Sequence, residues 1–159
     1  MQRTPQNNRR RFLTLAAATL AAAPLLAAPG VALAKKAAVY SSWGLAISGY
    51  DPVAYFKQNK PVKGSSEHSS KWNGATWRFT SAENKAAFDA NPTRYAPQYG
   101  GYCAWAVSQG YTASTDPDAW RVVNGKLYLN YNKSVRATWS KDIPGNIAKG
   151  DRNWPDVLK

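Results

Sequence analysis

The sequence is poor in the side chains that most often bind metals or carry out catalysis. Its 159 residues include one cysteine, Cys103, and one histidine, His68. A single cysteine cannot form an intramolecular disulfide, and no paired-thiol redox motif is present. With one histidine, any acid–base triad would have to use His68. Cys103 is therefore a buried inert thiol, an intermolecular partner, or a reactive or metal-binding group.

Acidic residues are also scarce. Nine Asp and Glu stand against 21 Lys and Arg, which gives a formal net charge of +12. The basic residues are scattered along the chain, and neither a phosphate-binding loop nor a nucleic-acid motif is present. We therefore expect a solvated basic surface, no nucleic-acid partner, and at most weak contact with anionic envelope surfaces.

Long apolar runs are confined to the N-terminus. Residues 8–13 read NRRRFL, and an Ala/Leu-rich run continues to Ala34. A basic start, an apolar middle and a small-residue exit form a secretory signal, and Arg-Arg-x-Phe-Leu matches the twin-arginine type. The alternative is a membrane anchor, because residues 12–34 are long enough to span a bilayer, although Thr, Pro and Gly interrupt them. We predict cleavage before Lys35 and a periplasmic or secreted protein.

Removing this signal of 34 residues with its four arginines leaves 125 residues and a net charge of +8. That length fits about one domain. We divide it into a lead-in at residues 35–45, a main domain at 46–107, and a C-terminal extension at 108–159 packed on the same domain. Short strands and small helices predict the α+β class.

Two Asn-Gly pairs are the strongest local signals in the mature chain. Asn73-Gly74 and Asn124-Gly125 each lie between strand-like arms, a pattern typical of β-hairpins with type I′ turns. Asp116-Pro117-Asp118 predicts a further turn before the second hairpin.

Capping residues and glycines predict the helices. Ser81 is suited to cap a helix over residues 82–90. The glycines at residues 100–101 predict a turn that leads into a buried helix, and the Cys103 thiol would lie near the N-terminus of that helix. Near the C-terminus we predict helices at 134–139 and 141–149, the latter broken at Pro144-Gly145.

Several spaced motifs resemble one known family. They are GYDPVAYF at residues 49–56, EHS at 67–69, NGATWRFTS at 73–81, and then Phe88, Asn91-Pro92 and Tyr95. Together they resemble the YHS domain over residues 46–107. Residues 97–107, with their Tyr-Gly-Gly-Tyr-Cys core, resemble the exported branch described as YHS domain-containing (seleno)proteins.

The resemblance implies a small hairpin-plus-helix unit and a link to metals. Other members occur in heavy-metal and copper transport proteins, where cysteines are the expected ligands. Two of those cysteine positions are Ala54 and Thr80 here, so a thiolate-rich site cannot be carried over. In the exported branch the Gly-Gly-Tyr-Cys cysteine looks interchangeable with selenocysteine. Selenium improves nucleophilicity and metal binding rather than packing, so the resemblance implies that Cys103 is the functional residue.

Three residues are the candidate metal ligands: Cys103, His68 and Asp51. A thiolate with an imidazole favours copper or zinc, and Asp51 could add an oxygen donor. Each has a structural alternative. Cys103 could be a small buried hydrophobe, His68 an exposed strand residue, and Asp51 an Asp-Pro turn that satisfies its own backbone.

Three functions remain open from the sequence. The first is binding or trafficking of a soft or borderline metal ion such as copper, with a metal ion or a periplasmic protein as partner. The second is a thiol-based redox protein, in which an external thiol would resolve Cys103. The third is a non-catalytic binding or assembly module. We identify no catalytic residues and expect a binding protein rather than an enzyme.

Overall fold

Both Asn-Gly pairs turn the chain back on itself in the computed structural model, which describes residues 35–159. Asn73 and Gly74 have φ values of 49° and 82°, and Asn124 and Gly125 have 50° and 72°. Positive φ at both central residues is the geometry of a type I′ turn, so the two predicted hairpins are confirmed. The predicted signal at residues 1–34 lies outside the described residues.

The first hairpin belongs to a four-stranded sheet. Its strands are β1 (Ser41–Ser42), β2 (Leu45–Ala46), β3 (Ser65–Trp72) and β4 (Ala75–Phe79). They lie in the order β1-β2-β4-β3, and β2 pairs with β4 in parallel through Leu45 and Thr76. β1 and β2 form a small hairpin partly inside the predicted lead-in, where two-residue strands are too short to leave an alternating pattern in the sequence.

The second hairpin forms a separate two-stranded sheet. It consists of β5 (Asp116–Val123) and β6 (Lys126–Asn130), with an irregular register between Asp116 and Trp120. The predicted turn at Asp116-Pro117-Asp118 is therefore wrong as a chain reversal. These residues belong to the strand, and the irregularity accommodates a proline that cannot donate to the ladder.

Six short α-helices complete the architecture. They are α1 (Ala54–Lys57), α2 (Ala82–Ala90), α3 (Pro92–Tyr95), α4 (Ala104–Ser108), α5 (Lys133–Trp139) and α6 (Ile143–Asn153).

Side-chain caps begin four of these helices, and at α3 the cap is Asn91, which accepts from Arg94 N. Ser81 accepts a hydrogen bond from Asn84 N at the start of α2, as predicted, and Asn132 caps α5 in the same way. Asp142 caps α6 by accepting from Gly145 N. The predicted break at Pro144-Gly145 is wrong, because Pro144 lies in the first turn of α6, where a missing N–H costs no helical hydrogen bond.

Two hydrophobic cores lie on either side of β6. Leu127 and Leu129 join the first core, with Trp77, Phe79 and Phe88, whereas Tyr128 joins the second core, with Trp139. Successive side chains of a strand point to opposite faces, so the single strand serves both cores. The resulting α+β fold confirms the predicted class, while the domain boundaries stay predictions. Among residues 35–159, no helix is long and apolar enough to cross a membrane.

Candidate functional site

Cys103 lies between a glycine turn and a helix. A 3₁₀ turn at Gln98–Gly101 precedes it, and Cys103 itself is the N-terminal cap residue of α4. Its backbone N–H donates to Ala113 O over 3.0 Å, and its carbonyl accepts from Val107 N over 3.0 Å. Because both backbone groups of Cys103 are hydrogen-bonded, the direction of its side chain is fixed. The predicted turn-to-helix transition is confirmed.

The thiol sits among backbone N–H groups. Tyr131 N donates to Cys103 Sγ over 3.3 Å, and Sγ lies 3.8 Å from Asn130 Oδ1. Burial raises the pKa of the Cys103 thiol above its usual range, whereas hydrogen bonds from the backbone of Ala106, Tyr131 and Trp105 act in the opposite direction. The residue is 1% exposed. The net effect is a raised pKa, so the sulfur is a protonated thiol at neutral pH.

Asn130 extends this arrangement. Its Oδ1 accepts a hydrogen bond from Trp105 N over 3.1 Å, and its side chain is fully buried. Its Nδ2 has no hydrogen-bond partner among residues 35–159. An unpaired buried donor costs free energy, so such groups usually need an explanation. Asn130 was not among the residues predicted from the sequence, although a polar residue at the end of the apolar run of β6 is a signal for one.

A small pocket adjoins the thiol. It has a volume of about 280 Å³ and is lined by Cys103, Trp105, Ala106, Tyr111, Ala113, Tyr131 and Val135. Tyr111 and Tyr131 are 51% and 52% exposed, so the wall of the pocket reaches the protein surface. Cys103 thus combines a nearly inaccessible side chain with a neighbouring apolar cavity. We call this arrangement the thiol pocket.

Asp51 lies elsewhere, in the first part of the fold. Its Oδ1 accepts from Val53 N and Ala54 N, over 2.8 and 3.3 Å, at the start of α1. Its Oδ2 accepts from Thr80 N, Thr80 Oγ1 and Asn84 Nδ2, over 2.8, 2.9 and 2.7 Å. The carboxylate is fully buried and joins α1, β4 and α2. A metal ion bound to Asp51 would have to replace some of these donors.

His68 lies in β3 and is half-buried. The register of β3 against β4 shifts between Ser65 and Ser69, so His68 occupies an irregular stretch of an otherwise regular hairpin. Neither His68 nor Asp51 lines the thiol pocket.

The structure does not bring the three candidate ligands into one cluster. Within residues 35–159, no group of three or more His, Cys, Asp or Glu side chains is placed to hold a metal ion. Individually, Cys103, His68 and Asp51 stay predicted ligands.

Comparison with family models gives one match. Residues 53–99 match the YHS domain. The matched segment contains His68, α1, the first hairpin and α2, which together build much of the first core. It ends before Cys103, so the thiol pocket is formed by residues that follow the YHS segment. No curated protein and no solved structure is significantly similar to the chain.

The YHS match agrees with a metal-related role at a coarse level. The match covers the hairpin that Asn73-Gly74 predicted. Cys103, the candidate with the most distinctive chemistry, depends on residues from α4, β6 and α5 that lie outside the matched segment.

Proposed function

We propose that this protein, whose residues 53–99 match the YHS domain, binds and transfers a soft or borderline metal ion such as copper, with the Cys103 thiolate as its main ligand. The observation that carries the proposal is the thiol pocket, where Tyr131 N donates to Sγ beside a cavity that reaches the surface. Backbone N–H groups stabilise negative charge on sulfur, and thiolates select copper(I) and zinc. His68 and Asp51 do not line the thiol pocket, so they stay predicted ligands that this proposal does not assign to the same ion as Cys103.

Copper(I) titration against a competing chelator tests the metal proposal. We expect Cys103→Ser to lower the affinity at least about 100-fold, because a hydroxyl is a poor ligand for a soft ion. His68→Ala and Asp51→Asn test the other two predicted ligands one at a time. Glu67→Ala, an exposed carboxylate next to His68, is the matched control and should leave the affinity unchanged. Equal affinity in the wild type and Cys103→Ser would contradict the proposal.

The pH dependence of binding gives a second prediction. The raised pKa of Cys103 keeps the thiol protonated at neutral pH, so a metal ion must displace a proton. Below that pKa the apparent affinity should therefore rise with pH by about tenfold per unit. Titrations at two pH values below that pKa, about one unit apart, measure this slope. An affinity that does not change with pH would exclude the thiol as the group that loses a proton.

A thiol-based redox role is the second candidate, and the same contact to Tyr131 N favours it. Oxidation of Cys103 would need an external thiol as resolving partner. Mass spectrometry after peroxide treatment and addition of glutathione would detect the mixed disulfide. A thiol that stays unmodified in the folded protein would favour the third function, a module in which Cys103 only packs.

We also propose that residues 1–34 direct export through the twin-arginine route. The support is the arginine pair Arg9-Arg10 followed by x-Phe-Leu and the small-residue exit at Ala34. This route carries folded proteins, which suits a domain with a single cysteine. Replacing both Arg9 and Arg10 by Lys should leave the precursor in the cytoplasm, as seen by cell fractionation. Lys replacement at Arg3, outside the pair, is the control and should not block export.

A further inference from the structure

A second cavity, larger than the thiol pocket, is lined in part by residues of the glycine turn. This groove has a volume of about 690 Å³, which falls within the range of about 300–1,000 Å³ typical of small-molecule sites. Both hairpin turns reach it, through Asn73 and Asn124, and the C-terminal segment closes it with Trp154 and Leu158. Three parts of the chain that are distant in sequence therefore build its walls.

Aromatic rings form the apolar surface of the groove. Trp72 and Trp77 lie on one side, with ring centroids 5.8 Å apart, and Trp77 Nε1 donates to Trp72 O over 3.0 Å. Tyr99 and Trp154 form a second pair, with centroids 6.0 Å apart. Trp77 and Tyr99 are 1% and 6% exposed, so the half-buried Trp72 and Trp154, each packed against one of them, are the rings that offer flat faces to the groove.

All the charged side chains that line the groove are positive. They are Lys35, Arg94 and Lys126, and no Asp or Glu lines it. The three ion pairs among residues 35–159 involve other lysines. These cations therefore face the groove without a carboxylate to neutralise them, which creates a positive potential there.

Arg94 is held in place by neutral groups. Its Nη1 donates to Gly125 O over 2.8 Å, and its guanidinium lies 5.0 Å from the centroid of the Phe56 ring. A guanidinium has five N–H donors in a fixed fork, so most of them stay available. A positioned arginine of this kind is well suited to carboxylate or phosphate.

Side-chain amides complete the rim. Asn73, Gln98 and Asn124 all line the groove. Asn73 and Asn124 are exposed and Gln98 is half-buried, so their amides can donate to or accept from a ligand. A few polar groups around an apolar surface are what fixes the orientation of a ligand in a binding site.

We propose that this groove binds a small organic anion in which a carboxylate or phosphate is attached to a flat ring. The ring lies against the faces of Trp72 and Trp154, and the anion pairs with Arg94 and Lys126. No residue of the groove belongs to the thiol pocket, so the anion site is distinct from the proposed metal site.

Isothermal titration calorimetry of the full chain at low ionic strength tests the proposal. The probes are 2-naphthoate, 2-naphthyl phosphate and the neutral analogue 2-naphthylmethanol. We expect at least one anion to bind at least about tenfold more tightly than the alcohol, since a charge-assisted hydrogen bond contributes about that factor or more. The tighter of the two anions identifies carboxylate or phosphate as the preferred group.

Variants locate the binding to the groove. Arg94→Gln and Lys126→Gln should each weaken binding of the anion at least about fivefold, while binding of the alcohol should not change. Arg121→Gln removes the same charge from an exposed arginine of β5 that lines a different cleft, and it should leave binding unchanged. Lys126 makes no hydrogen bond or ion pair through its side chain within the described residues, so its variant should keep the fold even if Arg94→Gln does not.

Three results would overturn the proposal. The first is that neither anion binds, and the second is that the neutral alcohol binds as tightly as the anions. The third is that Arg121→Gln weakens binding as much as Lys126→Gln, which would indicate only general attraction to a basic protein. Cys103→Ser should bind the anions like the wild type, so failure of the metal proposal leaves this test intact.

Discussion

At the scale of single residues, Asp51 shows how one side chain can organise a fold. No cation among residues 35–159 pairs with this fully buried carboxylate, and five hydrogen bonds from Val53, Ala54, Thr80 and Asn84 take the place of an ion pair. Its Oδ1 starts α1, and its Oδ2 joins the end of β4 to α2. An Asp-Pro turn that satisfies its own backbone was the structural alternative for this residue, and the bonds to Thr80 and Asn84 add long-range partners.

Removal of this carboxylate should therefore destabilise the protein strongly. We expect Asp51→Ala to lower the free energy of unfolding by about 3 kcal/mol or more, because it leaves several buried donors unpaired. Asp51→Asn keeps one oxygen acceptor and should lower it less. Urea denaturation followed by tryptophan fluorescence measures both. The exposed Glu67→Ala should stay within about 0.5 kcal/mol of the wild type, and equal effects at Asp51 and Glu67 would show that these bonds contribute little.

At the scale of elements, the glycine turn before Cys103 meets a requirement of the backbone. Gly100 has a φ of 59°, and its carbonyl accepts from Tyr40 N over 2.9 Å. A Cβ at Gly100 would overlap the carbonyl oxygen of Ala38. Gly100 of the Gly-Gly-Tyr-Cys motif thus allows the segment around Ala38 to pass close to the turn that positions Cys103.

Two alanine substitutions distinguish the effect on stability of the close approach to Ala38 from the effect of the positive φ. Gly110 also has a positive φ, 89°, but open space surrounds its Cβ position. Gly110→Ala should lower the free energy of unfolding by about 1 kcal/mol, because alanine is strained at a positive φ. Gly100→Ala adds the overlap with Ala38, so it should lower the free energy of unfolding by about 2–5 kcal/mol. Thermal denaturation of both variants measures the difference, and similar melting temperatures would mean that the Ala38 segment moves aside easily.

At the scale of the whole molecule, buried tyrosines connect distant segments across both cores. Tyr55 OH donates to Pro117 O over 2.9 Å, and Tyr99 OH lies 2.9 Å from Asp151 Oδ1. Desolvation by burial raises the pKa of both hydroxyls well above the ordinary tyrosine value. Both residues therefore stay protonated in the folded state at pH values where an unfolded chain would ionise them.

This difference predicts a loss of stability in alkali. Above the ordinary tyrosine pKa of about 10, the unfolded state releases protons that the folded state keeps, so the free energy of unfolding should fall as pH rises. Urea denaturation from pH 8 upward measures the slope. Tyr55→Phe removes one of the two groups, so it should reduce the slope although it loses the bond to Pro117. A stability that is flat through pH 10–11 would contradict the burial of these hydroxyls.

Local chemistry in the sequence determined much of this protein. The two Asn-Gly turns, the Ser81 cap and the glycine turn before Cys103 were predictable because each depends on residues a few positions apart. The YHS resemblance was also visible in spaced motifs, and the match over residues 53–99 supports it. The prediction failed at Pro144-Gly145, where Asp142 caps a helix that the proline begins.

Only the tertiary structure decided what surrounds each candidate residue. It separates Asp51 from the thiol pocket, brings Asn130 and Tyr131 to Cys103, and builds the basic groove from both hairpin turns and the C-terminal segment. These contacts join residues far apart in the chain, and they depend on how β6 shares its two faces between the cores. Packing of that kind leaves no periodic signal in the sequence, because every residue involved is also a plausible member of its own local element.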